Sequence, residues 1–156
     1  MRAVARPVIS FDEVDRAIIE QLQTDGRMPY TRLGSAVGLS EAAVRQRVQR
    51  LVDSGAMQVV AVTDPMSFGL RRVAMIGITT EGDVRAAADV IAGFDEVTYL
   101  VVTAGSFDLM AEVVVSDDEA LLDLINDKIR GIPGVRQTQT FVYLRLAKQT
   151  FEYGIR

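Results

Sequence analysis

Between Ser40 and Leu51 the side chains able to hydrogen-bond a polyanion or the edge of a base fall on one side of a repeating pattern. Arg45, Gln46, Gln49 and Arg50, with the small Ala42 ahead of them, lie opposite an apolar stripe of Val44, Val48 and Leu51 at i, i+4 and i+7. Guanidinium and amide groups match a major groove lined with acceptors and flanked by phosphates, and a small residue near the start lets such a helix approach closely. Any solvated amphipathic helix also turns Arg and Gln outward. What separates the two readings is the stretch before it: a first helix through Leu33 to Val37, a tight turn at Gly38, the anchor Leu39 and the N-cap residue Ser40. This is the signature of a helix-turn-helix whose second helix enters a major groove. Arg45 and Gln46 are the candidate base readers, with Ala42 giving clearance and Ser40 and Gln49 beside them. Arg50, Arg47, Arg32 and Tyr30 are placed for phosphates, although Arg47 borders the buried stripe, where pairing inside the domain competes.

The elements that must position this face precede it. Asp12 caps a first helix with Val14, Ile18 and Leu22 on its apolar stripe, ending at Asp25-Gly26. Pro29 fits the first turn of a second helix that runs to about Val37. The third helix stops at Ser54-Gly55, with Gly55 as a left-handed cap. Met57 to Thr63 is rich in β-branched residues and reads as a strand in the place of a wing. The expected organisation is a winged helix-turn-helix domain over 1–63 with a loose arm at 1–10, a linker over 64–70, and a second domain over 71–156.

Composition narrows the function classes. The net charge of −4 looks wrong for a nucleic-acid binder, but Arg27 to Arg50 holds five arginines against the single acid Glu41, a local net of +4. Pro65 to Arg156 holds 9 basic and 13 acidic residues, so the positive charge sits on the motif. No cysteine is present, which excludes disulfides and thiolate chemistry, and no histidine, which removes the commonest general base and transition-metal ligand. The expectation is therefore no enzyme, no cofactor and no metal. No apolar run approaches the roughly 20 residues of a membrane span, and Met1 to Ser10 lacks the apolar core of a signal peptide. No membrane partner is expected, and the expected location is the cytoplasm.

After the linker the period changes. Strands are predicted over Val73 to Thr80, Val97 to Thr103, Asp108 to Val115 and Val135 to Leu146, with helices over Asp83 to Ile91 and Ser116 to Arg130. Ser116 and Glu119 form a capping box for the second of these helices, whose core face is Leu121, Leu122, Ile125 and Ile129. The last strand alternates, with Thr138, Thr140, Val142, Leu144 and Leu146 on one side and Gln137, Gln139, Phe141, Tyr143 and Arg145 on the other. The order βαββαβ is that of a ferredoxin-like split sheet. A faint repeat supports it: Gly93-Phe94-Asp95-Glu96-Val97 and Gly131-Ile132-Pro133-Gly134-Val135 each give a glycine stop, an apolar plug, a two-residue turn and a valine that starts a strand. The fold class is α+β. Apolar groups on both sides of the last strand also imply that a second copy covers one sheet face, giving a homodimer or a higher even-numbered homo-oligomer.

Several spaced segments then agree with one family. Asp12 to Ile19, Leu22 to Arg27, Val37 to Ser40, Arg47 to Leu51 and Gly55 closely resemble the Lrp/AsnC (feast/famine) transcription regulators, and Gly105-Ser106-Phe107-Asp108 resembles that family's Gly-x-x-Asp turn. Two departures are Pro29, where members often carry Ser, and Ala104, where Thr is common. The resemblance implies an operator of double-stranded DNA, dimers that assemble further, and an effector, an amino acid or related metabolite, bound between subunits. A free amino acid needs a carboxylate for its ammonium and donors for its own carboxylate. Asp108 suits the first, and the amides around Gly105 with the hydroxyls of Thr138 and Thr140 suit the second. Asp108 reads equally as a turn aspartate bound to its own backbone, and the threonines as ordinary strand residues. The alternative function is an oligomeric DNA-binding or architectural protein without an amino-acid effector. Enzymes resembling sirohaem decarboxylases share this two-domain build, but that chemistry leans on the histidines this chain lacks.

Overall fold

The computed structural model describes residues 10–150, so the expected arm lies, apart from Ser10, outside the described residues. Two compact units emerge, one of residues up to Val62 together with Lys148 to Thr150, the other of Thr63 to Ala147.

The first unit is helical: α1 (Glu13–Thr24), α2 (Tyr30–Val37) and α3 (Glu41–Asp53). Each start has a local cause. At α1 the Asp12 carboxylate accepts the Asp15 amide at 2.7 Å, and the Asp15 carboxylate accepts the Asp12 amide in return at 3.3 Å. Ahead of α2, Pro29 occupies the capping position with ψ 138°, one residue earlier than expected, because an extended ψ there turns the chain into the helix. At α3 the Ser40 hydroxyl accepts the Ala43 amide at 3.3 Å. Gly38, at φ +72°, makes the turn, and Gly55, at φ +71°, follows the end of α3 as expected. Ile18, Leu22, Leu33, Val44, Val48 and Leu51 form the buried core, with Val14 and Val37 packed against it.

The segment after α3 differs from expectation. Residues 57–63 form no strand, and Val59, Val60 and Val62 are exposed. β-propensity extends a chain, but a strand exists only where a neighbour takes its amides and carbonyls; no such neighbour is present among the described residues. Beyond it, Asp64 caps a short 3₁₀ turn over Pro65–Phe68.

The second unit runs β1 (Arg72–Thr80), α4 (Val84–Ile91), β2 (Val97–Val102), β3 (Leu109–Val115), α5 (Asp118–Asp123, continued as a π-helical turn over Leu124–Ile129) and β4 (Val135–Val142). The sheet order is β2-β3-β1-β4 with every neighbouring pair antiparallel, as βαββαβ predicts. Ala74, Ile76 and Ile78 of β1 and Leu109, Ala111 and Val113 of β3 pack beneath Ala87, Ile91, Leu121, Leu124 and Ile129 of the helices. The two repeated segments make the same turn: Phe94 and Ile132 donate to Ile91 and Ile129, while Val97 and Val135 donate to Phe94 and Ile132.

Three expectations are corrected here. The second helix is capped by Asp117, whose carboxylate accepts the Ala120 amide at 2.9 Å, while Ser116 donates to that carboxylate, so the Ser116–Glu119 box does not form. The α-helical phase puts Leu124, three residues after Leu121, into the core and leaves Leu122 50% exposed, and a π turn marked by Arg130 donating to Ile125 keeps Ile129 on that same face. Finally, β4 ends at Val142 rather than Leu146, because it pairs with β1 and β1 begins at Arg72. The Tyr143 amide reaches Val73, and no strand pairing continues past it.

Gly34 tests the close packing of the helix-turn-helix. A Cβ there would stand 2.5 Å from the Leu39 carbonyl oxygen, on the turn whose amide already bonds Gly34. Gly34→Ala is expected to destabilise the helical unit by about 3 kcal/mol in urea unfolding, the scale of a backbone clash in a packed region; a loss under about 0.5 kcal/mol would show that the turn yields freely.

Candidate nucleic-acid interface and effector face

On α3 the buried stripe of Val44, Val48 and Leu51 turns Ala42, Arg45, Gln46, Gln49 and Arg50 outward together, and they line one open face with Asp53 and Ser54. Arg45 bonds Glu41 at 2.7 Å, an exposed i,i+4 pair that holds it loosely, and its guanidinium lies 5.1 Å from the Tyr30 ring centre. Gln49 donates to Asp53 at 2.7 Å. Arg32 is exposed on α2 and forms no ion pair among the described residues. Ser40 uses its hydroxyl as the helix cap.

Arg47 and Arg50 are different. Asp15 is 1% exposed; its Oδ1 accepts from Arg47 at 2.8 Å and its Oδ2 from Arg50 at 2.6 Å. The same Arg47 nitrogen reaches Asp12 at 2.7 Å. The Asp15 amide, and after it the Arg47 guanidinium, hold the Asp12 carboxyl below its usual range, while Asp12 and then Asp15 raise Arg47. Arg47, 28% exposed, is thus engaged within the domain, the competing reading its position next to the stripe had left open, whereas Arg50, 54% exposed, belongs both to the bridge and to the outer face. Asp15 was not singled out by the sequence. Its signal was a carboxylate three residues before Ile18, on the otherwise apolar inner stripe of an amphipathic helix.

In the sheet unit, the loop from Thr103 to Asp108 closes on itself: Thr103 donates its amide to Asp108 and its hydroxyl to Phe107. The Asp108 carboxylate accepts the Thr80 amide at 2.7 Å and the Thr80 hydroxyl at 3.2 Å, continuing the ladder between β1 and β3 past its last rung. Gly105 is exposed beside it. Thr138 and Thr140 stand opposite Ile78 and Ile76, so they share the helix-covered face, where Thr138 accepts from Arg130 at 3.1 Å. The structure therefore does not gather Asp108 with the two threonines. The other sheet face carries groups that sequence reasoning passed over. Phe107 lies on Gly77, where a Cβ would meet its ring at 2.7 Å, and meets Phe141 edge-on at 6.2 Å. Tyr143 reaches across β1 to Glu112 at 2.9 Å.

The sequence model of the AsnC-type helix-turn-helix domain matches residues 11–52, and that of the Lrp/AsnC ligand-binding domain matches residues 73–153. The chain belongs to the Lrp/AsnC family of transcriptional regulators. It is 34% identical over 142 residues to an HTH-type transcriptional regulator of Pyrococcus horikoshii, covering 90% of each chain. It is 31% identical to the regulator FL11 of Pyrococcus abyssi, covering 95% of this chain and 99% of that one. Its structure superposes, with TM-score 0.84 and 25% identity over 93% of this chain and 97% of that one, on the transcriptional regulator NMB0573 of Neisseria meningitidis, solved as an L-Met complex. Lrp/AsnC regulators are non-enzymatic. Among the described residues, no helix is long and apolar enough to cross a membrane, and no cluster of His, Cys, Asp or Glu forms a metal site.

Tyr143 gives the sheet a measurable signature. Partial burial, and then the Glu112 carboxylate, push its phenol up to about 12 from the usual 10.0. With the folded value above the unfolded one, the stabilisation from this contact is whole below pH 10 and fades as the pH climbs toward 12. In a spectrophotometric titration one of the four tyrosines should ionise later than the rest. Tyr143→Phe should remove that late step; a late step that survives would place the perturbed phenol elsewhere.

Proposed function

We propose that this Lrp/AsnC regulator binds a two-fold pseudo-symmetric DNA operator through paired copies of α3, and that an amino acid or related small metabolite bound between subunits modulates that binding. The observation that carries the DNA reading is the outer face of α3: an exposed run of Ala42, Arg45, Gln46, Gln49 and Arg50 on a helix seated by a fully buried stripe. Paired helices call for half-sites about 34–36 Å apart, or a multiple of that spacing. Arg45 and Gln46 read bases, Ala42 gives clearance, and Tyr30, Arg32 and Arg50 flank them for phosphates, with residues 64–70 as the linker to the sensing domain. The pairing surface is the sheet face left uncovered by α4 and α5, where Tyr99, Phe141 and Tyr143 remain exposed in the single chain. This supports a homodimer and, beyond it, an even-numbered assembly. The lack of cysteine accords with the cytoplasm.

The L-Met complex of the Neisseria regulator supports an amino acid as effector. The second reading, a regulator without such an effector, draws on the engagement of Asp108 by Thr80. A thermal-shift screen against the twenty amino acids separates the two, because a ligand selective for the native assembly raises its apparent stability, by about 2.7 kcal/mol at a hundred times its Kd. A stabilising amino acid whose effect is lost in Asp108→Ala supports the first reading, and twenty flat traces support the second.

The DNA contacts are tested by contrast. Gln46→Ala should chiefly relax base preference in a binding-site selection, whereas Arg32→Ala should weaken operator and mixed-sequence duplex alike and lower the salt slope by about one. Equal loss of sequence preference in both variants would overturn the assignment of roles on this face.

A further inference from the structure

We propose that Asp15 is a positioning residue for DNA binding, holding Arg50 from inside the domain so that the rest of its guanidinium is presented to a backbone phosphate. The inference rests on the DNA-binding reading above and adds to it a residue that cannot itself touch DNA. Asp15 lies on α1 at 1% exposure, and its two oxygens divide between two arginines of α3. Arg47 is turned inward and shared with Asp12. Arg50 gives a single N–H, from one terminal nitrogen at 2.6 Å, to the buried oxygen. An arginine has five such donors, and the side chain stays 54% exposed on the edge of the face that carries Gln46 and Gln49. The other arginines of this surface are not held in this way, since Arg45 leans on the exposed Glu41 and Arg32 has no ion pair among the described residues.

A long flexible cation that must be ordered on binding loses rotamer entropy at that moment. Arg50 has already lost much of it on folding. The carboxylate also fixes the plane of the fork, and the plane sets which phosphate geometry the remaining donors fit. Charge alone argues in the opposite direction. Asp12 and Asp15 neutralise Arg47 and Arg50, so removing the Asp15 charge leaves the quartet at a net of +1 and strengthens its long-range attraction to DNA. Positioning and bulk electrostatics therefore predict opposite signs for one substitution.

The test uses the full-length protein and a labelled mixed-sequence duplex, titrated from about 50 to 200 mM salt, with folding of each variant checked by circular dichroism at the assay temperature. Asp15→Asn is expected to weaken binding about ten-fold and to lower the salt slope by about one, the loss of one phosphate contact. Asp15→Glu, which restores the carboxylate, should recover the wild-type slope. In an Arg50→Ala background, Asp15→Asn should change the slope no further. Should Asp15→Asn not fold, Arg50→Lys carries the test: the charge is kept and the fork is lost, and binding should fall several-fold. Wild-type or tighter binding by folded Asp15→Asn, a further fall in slope in the Arg50→Ala background, or unchanged binding by Arg50→Lys overturns the proposal. If the wild-type protein itself shows no salt-dependent duplex binding, the DNA-binding reading falls first and this inference goes with it.

Discussion

A carboxylate taken out of water on the inner side of α1 must find donors within its own domain, and beside the Asp12 amide Asp15 finds two guanidinium groups because α3 crosses it at the height of Arg47 and Arg50. Burial of Val44, Val48 and Leu51 brings the two helices together but is indifferent to small rotations about the α3 axis. Two charged hydrogen bonds to one carboxylate are not indifferent. They select the rotation, and with it the direction in which Ala42, Gln46 and Gln49 face. The apolar stripe supplies most of the stability of the contact, and the ion bridge supplies its orientation.

The turn before α3 obeys a related constraint in backbone terms. Gly34 lies so near the Leu39 carbonyl that no side chain fits between them, and Gly38 takes the left-handed conformation that lets the chain reverse in so little space. With Ser40 capping α3 immediately afterwards, the start of the outward-facing helix is held by covalent proximity to α2. A face meant to meet base edges needs this kind of rigidity, because a shift of one ångström at the helix start moves every donor on it.

In the sheet unit the central strand β1 sets the limits for everything beside it. Its first residue decides where β4 stops, and its amide at Thr80 engages Asp108 beyond the end of β3. Gly77 leaves room on the uncovered face for Phe107 to lie flat against the backbone and meet Phe141. The loop over 103–108 is thereby tied twice to the same strand, by the Asp108 carboxylate on the Thr80 amide and by the Phe107 ring on Gly77. That makes it a firm platform at the sheet end, and a ligand reaching Asp108 would have to compete with Thr80 for its oxygen.

The helical phases, the caps at Asp12 and Ser40, the turn at Gly38, the βαββαβ order and the repeat around Phe94 and Ile132 were all legible in the chain, because each follows from residues within a few positions of one another. The outer face of α3 was legible for the same reason. What local pattern left undecided depended on partners far along the chain. Whether residues 57–63 form a strand rests on a neighbour, the length of β4 rests on the start of β1, and the choice of Leu124 over Leu122 rests on which side of the helix the sheet core meets. The arginines were predicted as a set because their spacing is local, yet their division into an inward Arg47 and a shared Arg50 was decided by Asp15, more than thirty residues earlier. Thr138 and Thr140 were likewise correctly placed on one side of a strand, but which side the helices would cover is a property of the packed sheet. Periodicity is written in sequence, whereas the identity of the surface that each face meets exists only once the chain has folded.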